Sequence, residues 1–243
     1  MARPHQPIVS RYADLKEKPG YVRDLFNRGA RYYDRVGQLG FWGTGHYYRK
    51  QALVRAGLRP GMAVLDVACG TGAVTRAIVE ILQGSGTVLG VDPSEGMLAE
   101  ARGRVPADFK VGRAEEIPAP DARFDFLAMG YALRHVQDLG AAFTEYRRVL
   151  KPGGRLLLLE ITRPSSRAGL AIARLYFRDL LPRLSGWVTG SPVAREMMAY
   201  YWETIEACVP PAAILEALRE TGFVEVRKEA SLGIFSEYQA VRG

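Results

Sequence analysis

Two carboxylates with a run of small residues between them carry the first chemistry that can be read in this chain. Asp66 stands in the apolar run Ala63-Val64-Leu65-Asp66-Val67, and Ala68, Gly70 and Gly72 follow at once. Asp92 closes a second apolar run, twenty residues beyond Gly72. Small residues let the backbone turn sharply and let a ligand come close to the main chain. A helix expected over 73–82 offers its first N–H groups to the same place. A carboxylate where the second strand ends can accept both hydroxyls of a ribose. The unit reads as a strand–loop–helix–strand nucleoside site. A nicotinamide dinucleotide asks for a third glycine, which packs helix on strand beneath the pyrophosphate. Thr75 occupies that position, so the dinucleotide reading fails. Asp66 disfavours a phosphate and suits a ligand that carries positive charge. S-adenosylmethionine (adenosine, a sulfonium, an ammonium group and no phosphate) meets these requirements. A glycine-rich turn after a strand occurs in many α/β proteins. Asp66, Gly70, Gly72 and Asp92 together single this one out.

The elements that must position these residues follow from periodicity. Apolar runs at 63–67 and 86–92 read as strands buried on both faces. Further strands are expected at 108–112, 124–130 and 155–161, with a last antiparallel pair at 223–229 and 232–240. Helices are expected at 49–58, 73–82, 141–150 and 212–221, and a Ser94-capped helix puts Met97 on its buried side. The alternation implies a Rossmann-like, doubly wound α/β fold with a mostly parallel sheet. Ligands then bind outside the carboxyl ends of the strands, where Asp66, Asp92, Arg113 and Gly130 fall. Residues 1–20 read as a loose N-terminal arm. Residues 21–243 read as one domain. Within it, 21–50 form a lid: a helix over 21–36, then a mobile loop over 38–49 that mixes three glycines with large aromatics. Residues 165–210, with helices at 168–181 and 197–208, read as a helical cap inserted over the substrate end. The basic amphipathic stretch there is open to peripheral contact with a membrane, or to pairing as a homodimer.

Composition removes other classes. A chain of 243 residues with 48% hydrophobic residues can bury a substantial core. The net charge of +7 is modest, and the 12 Tyr and 9 Phe are not interleaved with basic residues, so no nucleic-acid partner is expected. Cys69 and Cys208 read as free thiols in a reducing compartment. No metal-ligand spacing surrounds His5, His46 or His135. No apolar run is long enough to span a bilayer and no leader pattern opens the chain, so a cytoplasmic location is expected.

Residues 64–72 resemble the first motif of class I S-adenosylmethionine-dependent methyltransferases. Four other stretches make the chain similar to the C-methyltransferases of ubiquinone and menaquinone biosynthesis. They are Ala30-Arg31-Tyr32-Tyr33-Asp34, residues 111–118, residues 124–138 with Tyr131-Ala132-Leu133-Arg134-His135-Val136, and residues 146–164. Residues 176–204 resemble the family's insertion, through Leu180-Leu181-Pro182, Tyr200 and Glu203. The resemblance covers nearly all of the chain beyond the first twenty residues. It implies that Gly70 and Gly72 approach the cofactor through their backbones and that Asp92 holds the ribose. It also implies that the Ala114 amide meets the adenine edge, that the Gly130 carbonyl faces the methionine moiety, and that Tyr33 reaches the methionine carboxylate. Asp66, Ala68, Pro93, Met97, Arg113 and Tyr131 complete the expected cofactor-binding set. Two positions depart from the family's pattern. Arg113 stands where an acid is usual, and His135 where an asparagine is usual.

The activity so implied is methyl transfer from S-adenosylmethionine to a ring carbon of a quinol or phenol-type acceptor. Such a carbon becomes nucleophilic when a neighbouring hydroxyl loses its proton. Arg134 is the expected stabiliser of the phenolate, and His135 or His46 the expected proton acceptor. The competing readings are an O- or N-methyltransferase of a small secondary metabolite and an S-adenosylmethionine-binding protein without catalysis.

Overall fold

Consecutive residues of the apolar runs end in different cores in the computed structural model, which describes residues 5, 8–12, 14–41, 44–231 and 233–243. Strands β1 (Ala63–Val67), β2 (Thr87–Asp92), β3 (Asp108–Val111), β4 (Phe124–Gly130), β5 (Leu150–Ile161), β6 (Phe223–Ser231) and β7 (Phe235–Arg242) form one sheet, in the order β3-β2-β1-β4-β5-β7-β6. The first five run parallel. β7 lies antiparallel between β5 and β6. Side chains alternate across a strand. Val64, Phe126, Ala128, Leu157 and Leu159 therefore face one side, under α2 (Gly45–Arg55) and α3 (Ala73–Leu82). Leu65, Leu127, Met129, Leu156 and Leu158 face the other, under α5 (Leu139–Val149) and α9 (Pro211–Glu220). The Rossmann-like, doubly wound sheet with its antiparallel last strands is the expected one.

A third core holds the helices that cover the carboxyl ends of the strands. Leu25 and Val36 of α1 (Lys18–Phe41) meet Met197, Trp202 and Ile205 of α8 (Pro192–Ala207). Phe177 and Leu181 join them from a continuous helical run: α6 (Arg167–Ala173), a π-helical turn (Arg174–Leu180) and α7 (Leu181–Thr189). α8 begins earlier than periodicity suggests. Ser191 accepts a hydrogen bond from the Ala194 amide at 3.4 Å, and Pro192 occupies the first turn, where its missing N–H costs nothing. α4 (Glu95–Arg102) starts at the expected cap, with Ser94 Oγ accepting from the Met97 amide at 3.2 Å.

Two N-terminal expectations need correction. The stretch read as a loose arm is packed, among its described residues. Ile8 and Tyr12 are buried. Arg11 donates to both oxygens of Glu203 at 2.9 and 3.0 Å. His5 Nε2 lies 3.0 Å from the Leu133 carbonyl, and Lys18 Nζ donates to the carbonyls of Arg134 and Val136 at 3.1 and 3.3 Å. The loop expected over 38–49 is largely helical, because α1 runs to Phe41 and α2 starts at Gly45. Trp42 and Gly43, central to that reading, lie outside the described residues. Among the described residues, no helix is long and apolar enough to cross a membrane.

One buried ion pair joins the sheet to the cap. Arg134, in a 3-10 turn (Leu133–His135) after β4, donates to Glu160 Oε1 at 2.6 Å, and both side chains are 1% exposed. Removing one partner of such a pair strands the other charge in the interior, whereas an apolar pair of similar size is well tolerated. Glu160→Leu is expected to lower the free energy of unfolding by about 3–5 kcal/mol, and Arg134→Met/Glu160→Leu to recover much of that loss. Urea unfolding of the three proteins checks both statements; a double variant no more stable than the single one would contradict the account.

Candidate active site

The turn after β1 is held by backbone geometry that small residues make accessible. Ala68, Gly70 and Gly72 all have positive φ, of 54°, 56° and 84°. A Cβ at Gly72 would lie 3.0 Å from Val105 Cγ2, so both conformation and space call for glycine there. Asp92, at the end of β2, reaches across to this turn. Its Oδ2 accepts from the Gly70 amide at 2.9 Å and its Oδ1 from the Ser94 amide at 2.8 Å. Beneath the turn, Asp66 Oδ2 accepts from the Thr75 hydroxyl at 2.6 Å, and Asp66 Oδ1 is buried without a hydrogen-bond partner. The threonine that breaks the dinucleotide pattern is thus the residue that holds the first carboxylate.

α1 lies over this turn and the one after β2, with one polar latch to each. Thr71 Oγ1 donates to Asp34 Oδ1 at 2.6 Å, and Arg104 pairs with the same carboxylate. Asn27 Oδ1 accepts from Ser94 Oγ at 2.6 Å and from the Gly96 amide at 3.0 Å. Gly96 allows this approach, since a Cβ there would lie 3.0 Å from the Asn27 carbonyl oxygen. The neighbours of the latching residues, Phe26 and Tyr33, face inward with ring centroids 5.9 Å apart.

Between α1 and the strand ends lies a cavity of about 350 Å³. Ala68 and Gly70 contribute from the first turn, and Asp92, Pro93 and Met97 from the second. Arg113 and Ala114 follow β3, and Gly130 and Tyr131 close β4. With Tyr33 these are ten of the expected cofactor-binding residues in one space. Gly130 is fixed by packing, because a Cβ there would lie 2.5 Å from Val74 Cγ2 at the start of α3. Tyr131 turns away at a φ of 60°, a conformation rare for a tyrosine and held here by its surroundings.

Burial sets the charge states. It raises the Asp92 carboxyl to about 6, against the two amides that favour its ionised form. It raises Asp66 to about 7, with Asp92 adding to the effect and Thr75 opposing it. Burial also raises the Tyr33 phenol, which stays a neutral donor. His135 lines the cavity between Phe26 and Tyr200, with ring centroids 5.4 and 5.6 Å away. Burial first, then the positive charges of Arg134 and Lys18, push its pKa well below 6.5. It is a neutral imidazole at neutral pH. Arg113 Nη2 reaches Glu115 Oε2 at 3.4 Å and Gln137 Oε1 at 3.3 Å.

Four expected site residues lie elsewhere. Asp66 is 0% exposed beneath the turn and supports the site without lining it. Gly72 packs against Val105 and Ala101, behind the cavity wall. His46 sits on α2 with Nε2 3.0 Å from Glu80 Oε2 of α3, because the segment read as a lid loop is a helix covering the sheet. Arg134 points away from the cavity. Its Nε donates to Thr204 Oγ1 at 2.9 Å, its Nη1 to Glu160 Oε1 and to the Tyr131 carbonyl, and its guanidinium lies 4.3 Å from the Tyr201 ring centroid. The expected phenolate stabiliser is therefore a buried structural cation. Residues that the sequence reading missed also line the cavity, among them Phe26, Arg23, Glu115 and Gln137. The signal for Arg23 and Phe26 was present, since they lie ten and seven residues before Tyr33, at helical spacing.

The donor set fits S-adenosylmethionine. The turn offers a carboxylate and close backbone approach, not the cations a phosphate would want, and Asp66 carries an unpaired buried acceptor beneath it. The model of the ubiE/COQ5 methyltransferase family matches residues 13–242. The chain is 36% identical over 219 residues to a demethylmenaquinone methyltransferase of Symbiobacterium thermophilum, covering 86% of this chain and 87% of that protein. It is 34% identical over 226 residues to one of Tropheryma whipplei, covering 91% and 92%. Among solved structures it resembles a SAM-dependent methyltransferase of Thermotoga maritima, with a TM-score of 0.65 and 21% identity over 91% of this chain and 99% of that one. Another, from Aquifex aeolicus, has a TM-score of 0.62 and 19% identity over 86% and 98%. These two likenesses establish the shared fold. The chain belongs to the ubiE/COQ5 methyltransferase family and is an S-adenosylmethionine-dependent methyltransferase.

Proposed function

We propose that this enzyme methylates a ring carbon of a quinol, and that it works as a peripheral protein at the membrane where such acceptors dissolve. The observation that carries the reading is the relation along nearly the whole chain to demethylmenaquinone methyltransferases. The aromatic wall of the cavity, Phe26, Tyr33 and Tyr131, agrees with a flat ring as its occupant. Bound S-adenosylmethionine supplies a methyl group on a sulfonium, already activated for displacement.

The chain's own tasks are then alignment and exclusion of water. Asp92 accepts the ribose hydroxyls, and the Ala114 amide meets the adenine edge. The Gly130 carbonyl and the neutral Tyr33 hydroxyl hold the methionine end. α1 and α8 act together as lid and cap. His135 holds the acceptor hydroxyl as a neutral hydrogen-bond partner. The cations behind it oppose an imidazolium, so the proton lost by the hydroxyl passes on toward solvent and is not stored on the ring. This replaces the role of stored base that the sequence suggested for His135.

Three experiments test the reading. In a pH series by calorimetry, cofactor affinity should fall as pH drops through about 6, where Asp92 takes up a proton and loses its acceptor. Asp92→Asn should bind about tenfold more weakly or worse, and lack that step. With methyl-labelled cofactor, a short-chain demethylated quinol should carry the label on a ring carbon by mass spectrometry. Label only on oxygen or nitrogen of a small phenol or amine would overturn the acceptor. His135→Ala should lose about tenfold or more in kcat at unchanged cofactor affinity, and His135→Asn should retain most of it. Parental turnover in the alanine variant would remove His135 from the mechanism.

A further inference from the structure

Burial along the helical run from α6 to α7 recurs at Ala173, Phe177, Leu181 and Ser185, every fourth residue. An α-helix alone would drift off such a line. The wider winding of the π-helical turn keeps the four on the core, where Phe177 stacks on Trp202 at 6.1 Å. One step round the helix from these positions stand Ile172, Leu180, Leu184 and Val188, and further out stand Leu175 and Trp187. All six are exposed, Trp187 by 83%, Ile172 by 69% and Leu175 by 65%. A single exposed leucine needs no account, but a continuous apolar face does.

The charge of the segment says what covers that face. Residues 163–189 contain five arginines and one acid, Asp179. Arg178 pairs with Asp179 at 3.0 Å and Arg174 with Glu206 of α8 at 2.9 Å. Arg163, Arg167 and Arg183 are exposed. A second copy docked through the same face would set arginine against arginine, since a twofold contact brings each patch onto itself. An apolar face bearing leucine and tryptophan and flanked by arginine matches a helix lying in a negatively charged lipid interface. We propose that the face formed by Ile172, Leu175, Leu180, Leu184, Trp187 and Val188 docks this enzyme on an anionic lipid bilayer. The proposal rests on the membrane reading above for its purpose, and on this face for its geometry.

The test uses the full-length protein with vesicles of phosphatidylcholine, alone or mixed with phosphatidylglycerol, read by cosedimentation and by tryptophan emission. The protein is expected to bind the mixed vesicles, to release them as salt rises, and to shift its emission to the blue. Leu184→Ser/Trp187→Ser should bind about tenfold more weakly or worse. Both side chains are exposed, and circular dichroism confirms that the variant folds. Its turnover of a short-chain, water-soluble demethylated quinol should equal that of the parent. Absence of binding by the parent, or equal binding by the variant, overturns the proposal. So does a parental dimer that this variant dissociates, which would assign the face to a second copy. Vesicle binding needs no turnover, so a failure to methylate quinols alongside intact binding would overturn the acceptor alone.

Discussion

A buried ion pair, Arg134 with Glu160, joins the parts of this structure that shape the cavity. Taking two such charges out of water is costly and is offset only by close geometry and further hydrogen bonds. Both conditions are met. The Arg134 amide donates to Glu160 Oε2 at 3.2 Å, and the Ile161 amide donates to Oε1 at 2.8 Å. The guanidinium reaches Thr204 of α8, whose hydroxyl donates in turn to the Tyr201 carbonyl at 2.8 Å. One side chain thus ties the end of β4, the end of β5 and the cap. Tyr131 in its left-handed conformation and His135 at the cavity wall flank this anchor. The N-terminal stretch adds to it from outside, where Lys18 binds the carbonyls on either side of His135.

The second constraint is the coupling of α1 to the two turns it covers. Asn27 and Asp34 latch, while their immediate neighbours Phe26 and Tyr33 face the cavity. Each latch is a small number of hydrogen bonds, worth about 1 kcal/mol apiece or somewhat more where charge assists. α1 cannot shift on the sheet without disturbing the Thr71 and Ser94 contacts beside these turns. The same polar atoms order the two turns and hold α1 over them.

These features explain what could be read from sequence. The first turn was legible because sterics leave few options. Positive φ at Gly70 and Gly72, with a carboxylate at each strand end, forces a recognisable spacing. The sheet was legible because strands buried on both faces are nearly continuous apolar runs. The helical cap was only half legible. Pro182 and Gly186 punctuate the pattern, and a π-helical turn breaks the usual periodicity, so helix between 181 and 197 was missed. The N-terminal stretch was misread because its order comes from distant partners, Glu203, Leu133 and Val209 among them. His46 was misassigned with the glycine-rich loop, although α2 carries it to Glu80.

Arg134 and His135 show the limit most clearly. They are adjacent, and in a 3-10 turn adjacent side chains diverge, so one enters the core and the other the cavity. No pattern of residue types distinguishes which is which. Once placed, the pair bears on the asparagine that the family resemblance leads one to expect at position 135. A histidine would ordinarily bring a charge that titrates near neutrality. Here burial, Arg134 and Lys18 hold it neutral. A neutral imidazole offers one donor and one acceptor on a large aromatic frame, where an asparagine amide offers two N–H donors and a carbonyl oxygen. His135 therefore gives the cavity wall a broad, aromatic surface without a charge. Burial first, and then the cations behind it, keep the histidine at the surface of the cavity uncharged.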